Sequence, residues 1–118
     1  MNDIAYPNPF MDDEFQDCLD ILQLVHKPDA VPDPRVHKCW TFFQLAKAAH
    51  SGCIVELGAW RGYGSIALWH GSQIGYGVDV NSVDLYESIT GWAAEKYSVK
   101  DKLEFLKNIG LAKAKVKL

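Results

Sequence analysis

The amino-acid sequence predicts an α/β fold in which a parallel sheet of three strands follows two N-terminal helices. Two short apolar runs bounded by glycines, Cys53–Leu57 and Ile74–Val80, are typical of buried parallel strands. A third run with alternating character, Ala114–Leu118, is expected to form the last strand. Segments with helical spacing separate the runs, and strands that alternate with helices are joined by right-handed parallel crossovers.

Two helices are predicted before the first strand. Asp12–Glu14 opens the first, in which four apolar residues recur at helical spacing: Phe15, Leu19, Leu22 and Val25. Prolines between Lys27 and Pro34 end this helix, and Asp33 before Pro34 forms the N-cap and first turn of the second. The second helix is expected to stop at Ser51-Gly52 and to bury four residues: Val36, Trp40, Phe43 and Ala46.

The other helices are predicted between the strands. A short helix over Ser65–His70 follows a glycine-rich turn, Gly58–Gly64. A longer helix over Ser82–Tyr97 places five residues on one face: Leu85, Tyr86, Ile89, Trp92 and Ala93. Asp101 is expected to cap a last helix, which carries Leu103, Leu106 and Ile109 and ends at Gly110.

Size and composition indicate one globular domain. The chain has 118 residues, 48% of them hydrophobic and 23% charged, which is enough to build a single core. We divide it into a lead-in and helix, residues 1–33, and a main unit, residues 34–118. A net charge of −3 without a basic stripe argues against nucleic acid as a partner. No apolar run approaches the roughly 20 residues that span a bilayer. Residues Met1–Phe10 lack the basic start and the long apolar stretch of a signal peptide. We therefore expect a cytoplasmic protein without a membrane partner.

The central motif is the glycine turn after the first predicted strand. Ligands of open α/β sheets bind at the carboxyl ends of the strands, and the amides of a helix start favour an anionic group. The chain has no Gly-Lys-Ser/Thr, which argues against a phosphate-binding P-loop. Trp60 stands where a dinucleotide fingerprint has its second glycine, which argues against NAD and FAD. Asp79, about 20 residues past the turn, is suitably placed to accept hydrogen bonds from ribose hydroxyls.

These residues carry a family resemblance. The segment Glu56–Ser65, followed by Tyr76–Asp79, resembles motif I and the next acidic motif of class I S-adenosylmethionine-dependent methyltransferases. Trp60 and the Arg61-Gly62 pair look most like the macrocin O-methyltransferase-like branch, in which an aromatic residue commonly replaces the middle glycine. The resemblance runs from about Arg35 to Leu118. It implies a partial Rossmann-like three-layer unit with strand order 3-2-1, S-adenosylmethionine as cofactor and S-adenosylhomocysteine as product.

The resemblance also implies roles for individual residues. The residues that it assigns to the cofactor are Glu56, Gly58, Ala59, Trp60, Gly62, Ser65, Asp79 and Val80. The backbones of Gly58, Ala59 and Gly62 would line the methionine part, Asp79 would hold the ribose hydroxyls, and Val80 would pack against the adenine. It assigns no catalytic residue and no metal ligand.

The remaining roles leave alternatives open. Glu56 would order the turn, with or without a water-mediated contact to the ammonium group. Ser65 would offer its hydroxyl or cap the helix, and Arg61 would pair with the cofactor carboxylate or with an exposed acid. Asp79 is alternatively a cap for the following helix, and the glycines alternatively serve only strand–helix packing.

The function predicted is therefore an S-adenosylmethionine-binding, methyltransferase-like domain that acts on a small molecule when it is complete. In the family, the sheet continues for four more strands, whereas this sequence ends at Leu118 on the third predicted strand. Two explanations are open, a fragment of a longer protein or a short form that a partner or dimerisation completes. The alternative function is a truncated or non-catalytic nucleotide-binding or structural domain. Because strand one would leave an open edge, we expect a homo-oligomer that covers it.

Overall fold

The structure, a computed structural model, describes residues 8–26, 34–84 and 99–118 of the chain. The described elements, in chain order, are two 3₁₀ turns (Pro9–Met11 and Asp13–Phe15), α1 (Gln16–His26), α2 (Pro34–Ala48), β1 (Cys53–Leu57), α3 (Tyr63–Ile74), β2 (Asp79–Val83), α4 (Val99–Ala112) and β3 (Val116–Lys117). The predicted α/β architecture with a parallel sheet of three strands is confirmed.

The sheet places β2 between β1 and β3, and both pairs of strands are parallel. Along β1 and β2, Cys53 lies opposite Asp79 and Leu57 lies opposite Val83. The pairing of β2 with β3 is shorter and centres on Val80 opposite Val116. Since β1 and β2 are parallel and paired over five residues, their carboxyl ends lie side by side at the same end of the sheet.

The two faces of the sheet differ in cover. Successive strand residues point to opposite faces, and the buried residues Glu56, Val80 and Ser82 lie on the face that packs against the helices. Val55 and Leu57 point the other way and are 58% and 81% exposed. The helical face therefore carries the core and the other face of β1 is open to solvent.

The main core joins α1 to the rest of the molecule. Phe15 packs its ring edge against Phe43 at a centroid distance of 5.2 Å. The buried members of the core are Phe15, Cys18, Leu19, Leu22, Val36, Cys39, Phe43, Ile66, Ala67, Ala112 and Ala114. The residues predicted to face inward from the first two helices are thus buried, with Val25 and Trp40 partly buried at the margin of the core.

Asp12 ties the N-terminal segment to α2. Its carboxylate accepts hydrogen bonds from Trp40 Nε1 and Gln44 Nε2, both at 2.8 Å, as well as from the Glu14 amide. Because Asp12 caps a 3₁₀ turn, the α-helix begins only at Gln16, later than the predicted start at Asp12–Glu14. The predicted lead-in before Asn8 and the predicted break over 27–33 lie outside the described residues.

The close packing of α2 against α3 corrects the predicted boundaries after the glycine turn. A methyl group at Gly71 would overlap the carbonyl oxygen of Phe43, and one at Gly75 would overlap that of Lys47. Gly71 therefore lies inside α3, where it lets α2 approach, and does not follow the helix. The prediction of a helix over Ser65–His70 was too short. The predicted strand Ile74–Val80 was wrong at both ends, because α3 runs to Ile74 and β2 spans Asp79–Val83.

The end of α4 also differs from the prediction. Gly110 lies within the helix, which ends at Ala112 because Lys113 adopts a left-handed conformation with φ of 54°. The Ala114 amide then donates to the Ile109 carbonyl at 3.1 Å, which closes the last turn. β3 is consequently limited to Val116–Lys117, shorter than predicted.

The buried face of α4 includes residues that the apolar pattern of the sequence did not single out. Its buried residues are Asp101, Phe105, Asn108 and Ala112. Leu103 and Leu106 are at least half exposed, and Asp101 lies in the first turn of the helix, not at a cap before it. The predicted helix over Ser82–Tyr97 begins wrongly, since Ser82 and Val83 belong to β2, and its positions 85–97 lie outside the described residues. No helix among the described residues has the length and apolar character needed to cross a membrane.

Candidate functional site

The glycine turn connects β1 to α3 and is hydrogen-bonded to the end of β2. The amides of Gly58 and Ala59 donate to the Val83 carbonyl at 2.8 and 3.3 Å. The next amide, that of Trp60, donates to Asp84 Oδ2 at 2.8 Å. Three successive amides of the turn are thus held by the last residue of β2 and by the acid that follows it.

Trp60 occupies a backbone conformation that usually belongs to glycine. Its φ is 47°, between Gly58 at 79° and Gly62 at 91°. A left-handed conformation costs a non-glycine residue roughly 1–2 kcal/mol. The hydrogen bond to Asp84 offsets this cost. The Arg61 guanidinium lies 4.6 Å from the centroid of the Trp60 ring, and the Tyr63 ring packs against the same ring in a T-shaped arrangement. Trp60 therefore takes a positive φ like the two glycines beside it, Gly58 and Gly62.

A buried carboxyl group lies beneath the turn. Glu56 is 8% exposed, and its Oε1 accepts hydrogen bonds from the hydroxyls of Ser65 and Ser82, the latter at 2.8 Å. The two hydroxyl oxygens lie 2.8 Å apart and are both buried. Burial raises the pKa of Glu56 above its ordinary value, and the two serine hydrogen bonds oppose that rise.

Six of the residues that the resemblance assigned to the cofactor meet at this place. They are Glu56, Gly58, Ala59, Trp60, Gly62 and Ser65, all at the end of β1, in the turn or in the first turn of α3. Ser65 uses its hydroxyl in the Glu56 cluster. Gly62 is the N-cap of α3 and supplies no side-chain hydrogen bond to the helix start.

Asp79 and Val80 are not brought to the turn. Asp79 is the first residue of β2, opposite Cys53, and lies about 16 Å of strand away from Asp84. Val80 is 1% exposed and belongs to a small core cluster with Ala46 and Leu68. The acid that reaches the turn is Asp84, which sequence reasoning missed. In the structure the alternation of buried residues continues through Val78, Val80 and Ser82, which carries the strand past Asp79. The sequence does not show this, because Ser82 is polar and does not continue the apolar pattern.

Arg61 is paired with a buried acid. Its Nε donates to Asp101 Oδ1 at 3.0 Å, and the Asp101 side chain is 5% exposed. This hydrogen bond raises the pKa of Arg61 above its ordinary value. Neither a cofactor carboxylate nor an exposed acid, the two partners considered from the sequence, is needed to explain Arg61.

The outer side of the turn is open. Gly58 is exposed, and a methyl group built on it meets no atom of residues 8–26, 34–84 or 99–118 within 4 Å. Next to the turn, a groove of about 300 Å³ runs between α2 and β1 and is lined by Phe42, Leu45, Ala46, Ile54, Val55, Glu56, Leu57 and Leu68. Among the described residues, the backbone at the carboxyl end of β1 is therefore accessible to a ligand.

Metal-binding clusters and cysteine thiols are the other reactive groups to consider among the residues that the structure describes. Within 8–26, 34–84 and 99–118, no cluster of three or more His, Cys, Asp or Glu side chains is suited to a metal ion. Burial, with a further contribution from Cys39, raises the pKa of the Cys18 thiol, which keeps it protonated and poorly nucleophilic.

The substitution Glu56→Gln tests the buried carboxyl group. A raised pKa means that folded Glu56 holds its proton more tightly than the unfolded chain does, so the free energy of unfolding falls as pH rises above the ordinary glutamate range. Glutamine keeps an oxygen that accepts from both serines and does not titrate. We expect Glu56→Gln to lose this part of the decline, measured by urea unfolding from acidic to neutral pH.

A surface acid provides the control for this measurement. Glu104 on α4 is partly exposed and has a long ion pair to Lys107 at 3.8 Å. Glu104→Gln should leave the pH profile of unfolding unchanged. If Glu56→Gln and wild type gave superimposable profiles, burial would not govern the proton affinity of Glu56.

Together these features define an α/β protein in which a glycine turn and an acid lie side by side at the carboxyl ends of neighbouring parallel strands. Comparison with protein-family models, curated proteins and solved structures finds no match for the chain.

Proposed function

We propose that the chain is an S-adenosylmethionine-binding, methyltransferase-like domain whose sheet is part of a Rossmann-like unit with strand order 3-2-1. The observation that carries the proposal is the hydrogen bond between the Trp60 amide and Asp84. It joins the glycine turn after β1 to the acid after β2. Both lie at the carboxyl ends of the strands, where open α/β sheets bind nucleotide ligands.

Asp84 takes the role that the sequence assigned to Asp79. Ribose hydroxyls are donors, and a carboxylate at the end of the second strand accepts from them. Asp84 lies at that end, and the Trp60 amide fixes the position of its Oδ2. The ribose would therefore lie beside the turn, over the end of β2.

The methionine part of the cofactor belongs at the turn and at the start of α3. Gly58 is exposed and has open space around it, which lets a ligand approach the backbone closely. The carboxylate of the methionine part would be stabilised by the amino end of α3, where Gly62 provides no side-chain cap. Glu56 would support this site without contacting the ligand, because its hydrogen bonds to Ser65 and Ser82 join β1, α3 and β2 beneath the turn.

The chemistry follows from that placement. S-adenosylmethionine supplies an activated methyl group, and transfer moves the methyl from sulfur to a nucleophilic atom of a small-molecule acceptor and leaves S-adenosylhomocysteine. Such a reaction depends chiefly on holding donor and acceptor in line. The contribution of the described residues is to bind and orient the donor.

Titration calorimetry tests the proposal. We expect saturable one-to-one binding of both S-adenosylmethionine and S-adenosylhomocysteine. We expect no binding of NAD, because Trp60 stands where the dinucleotide fingerprint has the glycine that lets the pyrophosphate approach the backbone. Absence of heat with both sulfur ligands, in a protein shown to be folded by circular dichroism, would refute the proposal. Transfer of a labelled methyl group to a panel of small-molecule acceptors then tests the reaction itself.

A second candidate function has its own observation, the open edge of β1. Among the described strands, β1 pairs only with β2, and Leu45, Val55 and Leu57 beside its free edge are 64%, 58% and 81% exposed. An unpaired edge with exposed apolar side chains is a template for strand addition. The alternative is therefore a non-catalytic nucleotide-binding or structural domain that forms a homo-oligomer through this edge.

The occupant that fits the edge is β1 of a second copy, antiparallel about a two-fold axis through Val55. That register places Val55 opposite its own equivalent and Cys53 opposite Leu57, so like faces meet and the contact closes as a dimer. We expect light scattering to show a dimer that Val55→Lys converts to monomer. Leu103→Lys, a change at a residue of α4 that is 61% exposed, is the control and should remain dimeric. A wild-type monomer at high protein concentration would rule out this assembly.

A further inference from the structure

One face of α4 contacts the glycine turn at Arg61 and Gly62. Asp101, Phe105 and Asn108 follow one another at spacings of four and three residues, which places them on the same side of a helix. All three are buried, with exposures of 3%, 1% and 1%. Two of them are polar, and buried polar side chains are retained in proteins when they have specific partners.

The partners of these residues are consecutive groups of the turn. Arg61 donates through Nε to Asp101 at 3.0 Å, while Asn108 Nδ2 donates to the Arg61 carbonyl at 3.0 Å. The Phe105 ring lies against Gly62, where an added methyl group would come within 3.0 Å of Cδ2. One helix face therefore holds the side chain of Arg61, its carbonyl and the α-carbon of the following glycine.

The same contacts extend to the residue with the unusual backbone. The Arg61 guanidinium lies over the Trp60 ring, and the Trp60 amide is bonded to Asp84. Arg61 thus connects the buried Asp101 of α4 to the part of the turn that meets the end of β2. Loss of the α4 contacts would release Arg61 and Gly62 within the turn.

We propose that Asp101, Phe105 and Asn108 form a latch, a set of positioning residues on α4 that keeps the glycine turn in its ligand-binding conformation. The latch needs no contact with the ligand. For its effect on affinity, the inference rests on the proposed function. Coupling between two sites is reciprocal, so a ligand in the turn should also protect α4 from opening.

Hydrogen exchange tests the latch without any ligand. The Gly62 and Ile66 amides donate to the carbonyls of Ala59 and Gly62, each at 2.9 Å, and report on the turn. Asn108→Asp places a carboxylate against the Arg61 carbonyl and removes the donor. We expect hydrogen exchange at the Gly62 and Ile66 amides to become about tenfold faster. The reason is that local opening of the turn no longer has to break the hydrogen bond from Asn108 to the Arg61 carbonyl. Lys107→Ala, on the exposed side of the same helix, should leave both rates unchanged.

A second variant covers a failure of Asn108→Asp to fold. Arg61→Met keeps the aliphatic stem of a side chain that is 43% exposed and removes its bond to Asp101. It should also speed exchange at Gly62. Arg61→Lys restores a cation for Asp101 and should recover part of the protection. Wild-type exchange rates in both Asn108→Asp and Arg61→Met would overturn the latch.

Calorimetry with S-adenosylhomocysteine supplies the ligand measurement. If the wild type binds, Asn108→Asp should bind about tenfold more weakly, and the ligand should slow exchange in α4 of the wild type. Equal affinity of the two proteins overturns the latch and leaves the proposed function intact. If the wild type does not bind, the proposed function fails, and the exchange rates without ligand still decide the latch.

Discussion

Gly71→Ala is expected to lower the free energy of unfolding by about 3 kcal/mol, at the upper end of what overpacking costs. The added methyl group would overlap the Phe43 carbonyl oxygen and lie 2.9 Å from both the carbonyl carbon and the α-carbon of Phe43. These are backbone atoms of α2, so no side-chain rotation relieves the overlap. The helices must separate instead, and Phe43 and Ile66 of the core would lose contacts. Urea unfolding measures the change.

Gly110→Ala is the matched control for this prediction. Gly110 also lies inside a helix, and a methyl group built there meets no atom of the described part of the chain within 4 Å. Alanine is favoured over glycine within a helix by about 0.8–1 kcal/mol. Gly110→Ala should therefore raise the free energy of unfolding while Gly71→Ala lowers it. Equal effects at the two positions would mean that α2 and α3 do not approach as closely as described.

Asp84→Ala is expected to weaken binding of S-adenosylhomocysteine by about 2 kcal/mol, roughly thirtyfold, because ribose hydroxyls would lose a charged acceptor. Asp79→Ala should change the affinity by less than twofold, because Asp79 is at the opposite end of β2. Each variant removes one aspartate carboxyl group, and the two positions are five residues apart on the same segment. Calorimetry on both proteins decides which acid meets the ligand.

A further variant separates ligand contact from turn stability. Asp84→Asn keeps an oxygen that can accept from the Trp60 amide and removes the charge. Its free energy of unfolding should stay close to that of the wild type while its affinity falls. If Asp79→Ala lost affinity and Asp84→Asn did not, the ribose would be held at the other end of β2 and the proposed arrangement would be wrong.

The glycine turn was predictable because its signals are local. The apolar run Cys53–Leu57 forms a strand with the bounds expected, but the prediction that it is buried was wrong, because only Glu56 of its residues is buried. Gly58 and Gly62 take the left-handed conformations that glycine permits. Trp60 was placed from the sequence at the position of a fingerprint glycine, and in the structure its φ is 47°, a conformation that glycine adopts more readily. No spacing in the sequence indicates that Asp84 accepts from its amide.

Glycines outside the turn show why some boundaries were missed. Gly71 and Gly75 were taken as the margins of a helix and a strand, since glycine commonly ends such elements. In the structure they lie at the contact with Phe43 and Lys47, residues 28 positions earlier in the chain. Gly110 was taken as a helix end for the same reason, whereas Lys113 adopts the left-handed conformation that ends α4.

The sequence by itself determined the α/β class, the first strand, the turn that follows it and the inward faces of α1 and α2. Each depends on neighbours within a few positions, where spacing and backbone preference act directly. Only the tertiary structure decided the ends of α3 and α4, the register of β2 and the acid that reaches the turn. These depend on the approach of α2 to α3 and on hydrogen bonds from Gly58 and Trp60 to Val83 and Asp84, which join residues more than 20 positions apart.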